Sequence, residues 1–307
     1  MPKAKSEKVK KTKRKEQKPP KLKERGQGNF LEALVLLLPS GLWLFLLLVL
    51  PTLVILQLSL VPNIKPGMVV DPSGIENYLR AFEGTFLRVI LRSLFLAVAT
   101  TFSCLILGFP VAFWIGYMLP RGWRNLCLLA FILPLWTSSL LRSYAWISIL
   151  RPTGLLNSVL AYFDLPPVQI LNSPIAVLIG MTYSYLPFMV LILYTAIEKL
   201  DSRVLEAAAD LGAKPSVIFK KITIPQTSPG ILAGCLLVFI GSLGDFVDPE
   251  LLGGASSMTM ARLIYNQFLG TTQNWGFGSA LSMLLIIAVS IAIALLLKYG
   301  DRSATEA

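Results

Sequence analysis

The stretch that decides the fold occupies residues 206–225 and reads EAAADLGAKPSVIFKKITIP, a polar sequence between two long apolar runs. Residues 206–211 favour a helix, and Gly212 can adopt the left-handed conformation that ends one. Pro215 suits the first turn of a second helix, because its missing N–H would have no helical partner there. We therefore expect two short helices, the second over residues 216–221, joined by a glycine turn beside a bilayer.

The composition around this stretch is that of a membrane protein. Of the 307 residues, 54% are hydrophobic and 15% are charged, and the mean hydropathy is +0.66. Several apolar runs are long enough to cross a bilayer, which takes about 20 residues per helix. The sequence predicts an all-α polytopic membrane protein with six transmembrane helices, over residues 31–60, 86–118, 126–149, 175–197, 231–252 and 277–297.

Basic residues are concentrated at the amino terminus, where 12 of the 28 lysines and arginines precede residue 30. The net charge of +11 is therefore not taken as a sign of nucleic-acid binding. Such a tail stays solvated or is drawn to anionic lipid headgroups. We expect a disordered basic tail over residues 1–29, a six-helix transmembrane domain over 30–298 and a short tail over 299–307.

The charges between the predicted spans are distributed asymmetrically. Positive residues collect on the side that holds both termini and the 206–225 stretch, and few lie on the other side. Because positive residues mark the cytoplasmic side of a membrane protein, both termini and the stretch are expected in the cytoplasm. An even number of spans agrees with this orientation.

Several classes of function are excluded by residues that the sequence lacks. There is no histidine, which removes Ser-His-Asp, Cys-His and histidine-ligated metal sites. Cys104, Cys127 and Cys235 lie far apart in apolar runs and are expected to be buried and unpaired. No G-x-x-x-x-G-K-[ST] motif occurs, so a separate subunit must bind any ATP that drives this protein. We expect no catalytic residue, no metal and no cofactor on this chain.

The fifth predicted span contains three carboxylates, Asp245, Asp248 and Glu250, in a stretch of six residues. Placing a charge inside a bilayer costs about 2.5–3.5 kcal/mol on insertion scales, so each such residue is expected to have a structural or functional role. On a helix, Asp245 and Asp248 would share one face, and with a break near Pro249 the three would attract a cation. The alternative is that Asp248 and Glu250 cap the helix at the outer membrane surface.

Arg142 is a charged residue inside the third predicted span. Its natural partner is one of these carboxylates, in a structural or gating ion pair, and the alternative is contact with an anionic substrate. Aromatic residues on spans three and four can attract alkylammonium groups by cation–π contact, or can instead form interface belts and helix packing. They are Trp136, Tyr144, Trp146, Tyr183 and Tyr185.

The 206–225 stretch resembles the EAA signature of ABC importer permeases, whose transmembrane domain is called MetI-like. The match consists of Glu206-Ala207-Ala208, then Gly212, then Ile222-Thr223-Ile224-Pro225, with Ile224 where leucine is usual. The resemblance implies that residues 201–225 form a cytoplasmic coupling-helix loop that docks in a groove of a separate ATPase. The coupling residues that it implies are Glu206, Ala207, Ala208, Asp210, Gly212, Lys220 and Pro225.

Residues 135–146, LWTSSLLRSYAW, and 244–254, GDFVDPELLGG, look like the spermidine/putrescine importer permeases, specifically the first of their two permease subunits. This resemblance implies a bacterial inner-membrane heterodimer with a second permease. It also implies two ATPase subunits that carry ATP and Mg, and an external substrate-binding protein. The expected mechanism is alternating access, with a substrate pathway along Asp245, Asp248, Glu250, Trp136, Tyr144, Tyr183 and Tyr185. Import of sulfate, iron or another small solute is the alternative, and an intramembrane enzyme or a structural membrane protein is a distant one.

Overall fold

The computed structural model describes residues 30–62, 74–254, 257–270 and 273–305. All regular structure in these residues is helical, which confirms the all-α prediction. The predicted disordered tail over 1–29 lies outside them. The helices are α1 Phe30–Leu44, α2 Leu50–Ser59, α3 Glu76–Ala81, α4 Gly84–Phe113, α5 Arg121–Ile132, α6 Ser139–Leu150, α7 Leu155–Tyr162, α8 Pro174–Glu198, α9 Ser202–Asp210, α10 Pro215–Ile218, α11 Ile224–Gly244, α12 Val247–Leu252, α13 Met260–Leu269 and α14 Trp275–Thr305.

Five helical segments within the described ranges are long and apolar enough to cross a membrane, and a sixth is obtained if one bent pair is counted as a single span. This agrees with the predicted six spans. The five are Leu37–Ser59, Gly84–Met118, Pro174–Glu198, Pro215–Gly244 and Trp275–Ala294. The bent pair is Gly122–Trp136 with Ser139–Tyr162, which meet at 94°, and the break between them follows the 3-10 turn Leu133–Trp136 that contains Pro134.

The chain divides into two compact units at Pro51. In the first unit, residues from Phe30 form helix α1 and the π-helical turn Phe45–Val49. The second unit, from Thr52 onward, contains most of α2, all of helices α3 to α14 and every residue of the sites described below.

Within the second unit, helices α4, α8 and α11 pack around one core. Cys104 of α4, Met189 and Leu193 of α8 and Val238 of α11 are fully buried there. Towards the amino-terminal end of α8, a second cluster brings α6 and α12 against the same bundle. Cys104 is buried as predicted, and Cys127 and Cys235 are half-buried; all three are free thiols.

Small residues allow α11 to lie close to α8, and they have the Gly-x-x-x-Gly spacing, here Gly230 and Gly234, that is typical of close helix packing in membranes. A Cβ atom on Gly230 would collide with the Cβ of Ala196, and one on Gly234 would lie 2.8 Å from the sulfur of Met189. The two glycines therefore set the distance between the helices.

The fifth span ends earlier than predicted. A helix was expected over residues 231–252, but α11 stops at Gly244, and Asp245 has an extended backbone with φ −76° and ψ 124°. The cause is local, because Asp245 Oδ1 accepts a hydrogen bond from Val247 N at 2.9 Å and so begins α12. The expectation that Asp245 and Asp248 share a helix face is therefore wrong.

Candidate functional site

The first candidate site is the elbow, which we define as residues 201–223. Asp201 caps the start of helix α9, because its carboxylate accepts a hydrogen bond from Arg203 N at 3.0 Å. Leu205 anchors the helix, with only 6% of the residue exposed. The helix ends at a turn in which Gly212 has φ +82°. No atom lies within 4 Å of a Cβ placed on Gly212, so it is the backbone conformation, and not a lack of space, that favours glycine here.

The second half of the elbow differs from the prediction. Helix α10 does start at Pro215, but it continues through the π-helical turn Phe219–Thr223 into α11. Residues 222–225 lie beyond the predicted second helix of residues 216–221, and they are helical as well. The result is a single rod from Pro215 to Gly244, 30 residues long, or about 45 Å at 1.5 Å per residue.

Most coupling residues implied by the sequence lie on the surface of the elbow. Glu206, Ala207, Asp210, Gly212 and Lys220 are exposed, and Ala208 and Pro225 are half-buried. Leu211, at the turn, is 89% exposed. Behind the elbow lies a cavity of about 430 Å³, lined by Phe113, Tyr117, Leu205, Glu206, Ala209, Pro215, Ile218, Phe219 and Thr223.

The second candidate site is the polar cluster at the far end of this rod, where α12 meets α6 and α8. Asp248 is only 3% exposed. Its Oδ1 accepts a hydrogen bond from Ser143 Oγ at 2.5 Å, and its Oδ2 accepts one from Ser184 Oγ at 3.2 Å. Because both oxygens are occupied, Asp248 ties three helices together, and its buried carboxylate is well satisfied.

Tyr185 stabilises the end of α11. Its hydroxyl donates to the carbonyl of Gly241 at 2.8 Å. In an unbroken helix that carbonyl would accept from Asp245 N, but Asp245 N instead points to Ser242 O at 3.4 Å. Tyr185 therefore satisfies a backbone group that the helix break releases.

Glu250 forms an ion pair with Arg262, which the sequence reasoning missed. Arg262 Nη1 also donates to the carbonyls of Pro249 at 3.3 Å and Gly254 at 2.5 Å. Arg262 thus holds the end of α12 against α13. Asp245 is half-buried, has no ion pair among the described residues, and interacts with Asp248 and with the hydroxyl of Tyr185.

Arg142 is not paired in the way that the sequence favoured. Within the described residues no carboxylate lies at ion-pair distance from it, and its Nε and Nη1 are buried without hydrogen-bond partners. The residue next to it, Ser143, donates a hydrogen bond to Asp248 instead. Arg142 lines a groove of about 310 Å³ together with Thr137, Leu141, Ala145, Trp146, Ile149 and Tyr183.

The predicted aromatic residues are only partly brought together. The rings of Trp146 and Tyr183 meet edge-to-face at 5.5 Å in the groove beside Arg142. Trp136 and Tyr144 are 84% and 56% exposed, away from the hydrogen bonds of the polar cluster. No pattern in the sequence indicates Ser143 or Ser184 as site residues, because their partner Asp248 lies 105 and 64 residues away along the chain.

This fold is that of a helical membrane component of a transporter. The chain matches a chain of the bacterial alginate ABC transporter, solved with a periplasmic protein bound to an alginate pentasaccharide, with a TM-score of 0.71 and 18% identity. The match covers 89% of this chain and 94% of the other. A family model described as "Binding-protein-dependent transport system inner membrane component" matches residues 108–303, and the chain belongs to this family.

Two named relatives have higher sequence identity. The spermidine/putrescine transport system permease protein PotB of Haemophilus influenzae is 40% identical over 253 residues, covering 82% of this chain and 88% of that protein. PotB of Escherichia coli strain K12 is also 40% identical, covering 82% and 91%. The chain is therefore a multi-pass inner-membrane transport subunit of the permease type and not an enzyme.

Proposed function

We propose that this chain is a permease subunit of an ATP-driven importer for polyamines such as spermidine and putrescine. The observation that carries the proposal is the 40% identity, over 82% of the chain, with permeases named for that transport. The chemistry is compatible, because a polycation is attracted by carboxylates and by aromatic faces. Asp245 and the Trp146–Tyr183 pair supply such groups beside the rod.

The assembly that we propose has a second, different permease, two ATPase subunits and an external binding protein. Both termini and the elbow face the cytoplasm, where an ATPase can reach Leu211 and Glu206. ATP and Mg bind to the ATPase subunits, since this chain has no phosphate-binding loop motif.

The proposed mechanism is alternating access driven through the rod. When ATP closes the ATPase dimer, the elbow moves with it. Because α10 runs into α11 through a helical turn, a displacement at Pro215 is carried to Gly244, where the polar cluster begins. The helix break is therefore placed to change its contacts when the elbow moves.

The test is uptake by proteoliposomes that contain the complete transporter and its binding protein. Labelled putrescine or spermidine should accumulate with ATP, and an excess of either unlabelled polyamine should suppress the signal. Sulfate and ferric ion should leave it unchanged. Accumulation of labelled sulfate or iron without polyamine uptake would favour the alternative solutes and contradict the proposal.

A further inference from the structure

A cavity of about 390 Å³ lies where α4, α11 and α14 meet, away from the elbow and from the polar cluster. Its lining is apolar apart from Thr101. The apolar residues are Val98, Phe102, Leu105, Cys235, Phe239 and Ala292. None of them belongs to either candidate site, so the cavity has no role in the function proposed above.

The cavity opens onto the surface that the spans present to the bilayer. Its α4 wall, residues 98–105, lies in the middle of the span Gly84–Met118. At its rim Phe102 is 62% exposed, and the exposed Phe95 and Ile106 continue the same face of α4 at spacings of seven and four residues. The cavity is therefore within the hydrocarbon region of the membrane.

Water is a poor occupant for this cavity, because a buried water needs about three polar partners. Among the described residues that line it, Thr101 already donates its hydroxyl hydrogen to the carbonyl of Ala97 at 2.8 Å. The Cys235 thiol is only a weak donor. If the cavity were empty, the side chains around it would lose dispersion contacts. A hydrocarbon is the occupant that this lining fits.

The size of the cavity decides which hydrocarbon can enter. A helix with its side chains is about 10–12 Å across, so one turn fills roughly 420–610 Å³, which is more than the whole cavity. Helices in membranes also approach each other through small residues, and the two glycines of α11, Gly230 and Gly234, face α8 instead. A span of a second permease is therefore excluded, whereas a single acyl chain is narrow and flexible enough.

We propose that this cavity binds one acyl chain of a membrane phospholipid, which fills the space between α4, α11 and α14. The chain is held by apolar contact alone, so it is retained when lipids on the open surface exchange with detergent. This inference uses only the membrane location of the spans and does not depend on which solute is carried.

The experiment uses a phospholipid with a photoreactive diazirine in its acyl chain. The complete transporter is reconstituted with this lipid, extracted, washed with lipid-free detergent and irradiated, and the labelled residues are mapped by mass spectrometry. Label should remain on Leu105 and Phe239 after washing and should be lost from Phe95, which lies on the open surface. Ala292→Phe places a ring in the cavity. Loss of even two buried methylene groups corresponds to about tenfold weaker binding, so label on Leu105 and Phe239 should fall by at least that factor.

Ala294→Phe is the matched control, because it makes the same change at an exposed position of the same helix, and it should be labelled like the parent. If washing removes label from Leu105, Phe239 and Phe95 equally, the cavity is ordinary lipid-facing surface and the inference is wrong. Absence of label from Leu105 and Phe239 before washing would mean that a side chain of a partner subunit fills the cavity, which also overturns it. Parent-like label in Ala292→Phe does the same, and if that variant does not assemble, the washing comparison in the parent decides. Since no arm measures transport, failure of the proposed polyamine import would leave these results unchanged.

Discussion

At the scale of single residues, Gly212 has a left-handed backbone conformation that few residue types adopt. Its φ of +82° is open to glycine and tolerated by asparagine, but proline is locked near −65°. We expect Gly212→Pro to reduce ATP-driven uptake below one tenth of the parent rate while the protein still inserts in the membrane. Uptake and membrane content are measured together.

Gly212→Asn is the matched control and should keep most of the uptake, because asparagine adopts the left-handed conformation at small cost. If the proline variant took up substrate at the parent rate, the glycine turn would not be needed to transmit movement from the ATPase to the spans.

Asp245 has two expected roles, a structural one through its hydrogen bond and an electrostatic one through its charge. Two substitutions separate these roles. Asp245→Asn keeps an oxygen that can accept from Val247 N but removes the charge, whereas Asp245→Ala removes both. We expect the asparagine variant to raise KM for polyamine several-fold with an unchanged unfolding temperature. The alanine variant should also lose about 1 kcal/mol of stability. Equal KM values for parent and asparagine variant would remove Asp245 from the substrate pathway.

The sequence predicted the local structure of the candidate sites well, and it predicted contacts between distant residues poorly. The turn at Gly212 follows from residues on either side of it, so it was predictable. The pairings of Asp248 with two serines and of Glu250 with Arg262 depend on how helices pack, and no pattern in the chain specifies them.

At the scale of helices, the contact between α8 and α11 is a tight fit between small residues. A methyl group on Gly230 meets the Cβ of Ala196, which cannot rotate away. We expect Gly230→Ala to destabilise the purified transporter by about 1–3 kcal/mol, seen as a lower unfolding temperature.

Two further variants test that explanation. Adding Ala196→Gly to Gly230→Ala should restore most of the lost stability, because it removes the Cβ that the new methyl group contacts. Gly244→Ala has no atom within 4 Å of the new methyl group and should leave the unfolding temperature unchanged. A Gly230→Ala protein as stable as the parent would mean that the helices can separate freely.

The helices also show why some boundaries were misjudged. Hydropathy predicted where the spans lie. It did not predict that α11 ends at Asp245, because that end depends on a hydrogen bond from Val247 N to the Asp245 side chain and not on the number of apolar residues. Likewise, the π-helical turn Phe219–Thr223 lets polar sequence continue into a span. The sequence predicted a short helix over residues 216–221 but not its continuation into the span.

At the scale of the whole molecule, the proposed orientation can be tested by thiol labelling. In a variant without its three native cysteines, Tyr162→Cys and Leu211→Cys place thiols at positions that are 84% and 89% exposed. We expect an impermeant maleimide to label Tyr162→Cys on intact cells, and Leu211→Cys only after the membrane is opened. The reverse pattern would invert the orientation and place the elbow outside.

The fold class and the number of spans were predictable, because a bilayer requires apolar helices of a certain length and these are visible in the composition of the sequence. The bend of 94° in the third span was not, although Pro134 lies beside it, because a proline inside an apolar run marks a possible break without giving its angle. The family likewise follows from the elbow's spacing and is shown by the match over residues 108–303.

The bare leucine at the turn of the elbow has a consequence for the cell. A single exposed leucine is ordinary on a protein surface, but this one is 89% exposed at the turn that the proposed motor subunit would contact. In copies of this chain that have no motor partner, the leucine would stay in contact with water at the proposed cytoplasmic surface of the membrane. Covering it would therefore favour the assembled transporter over its separate subunits.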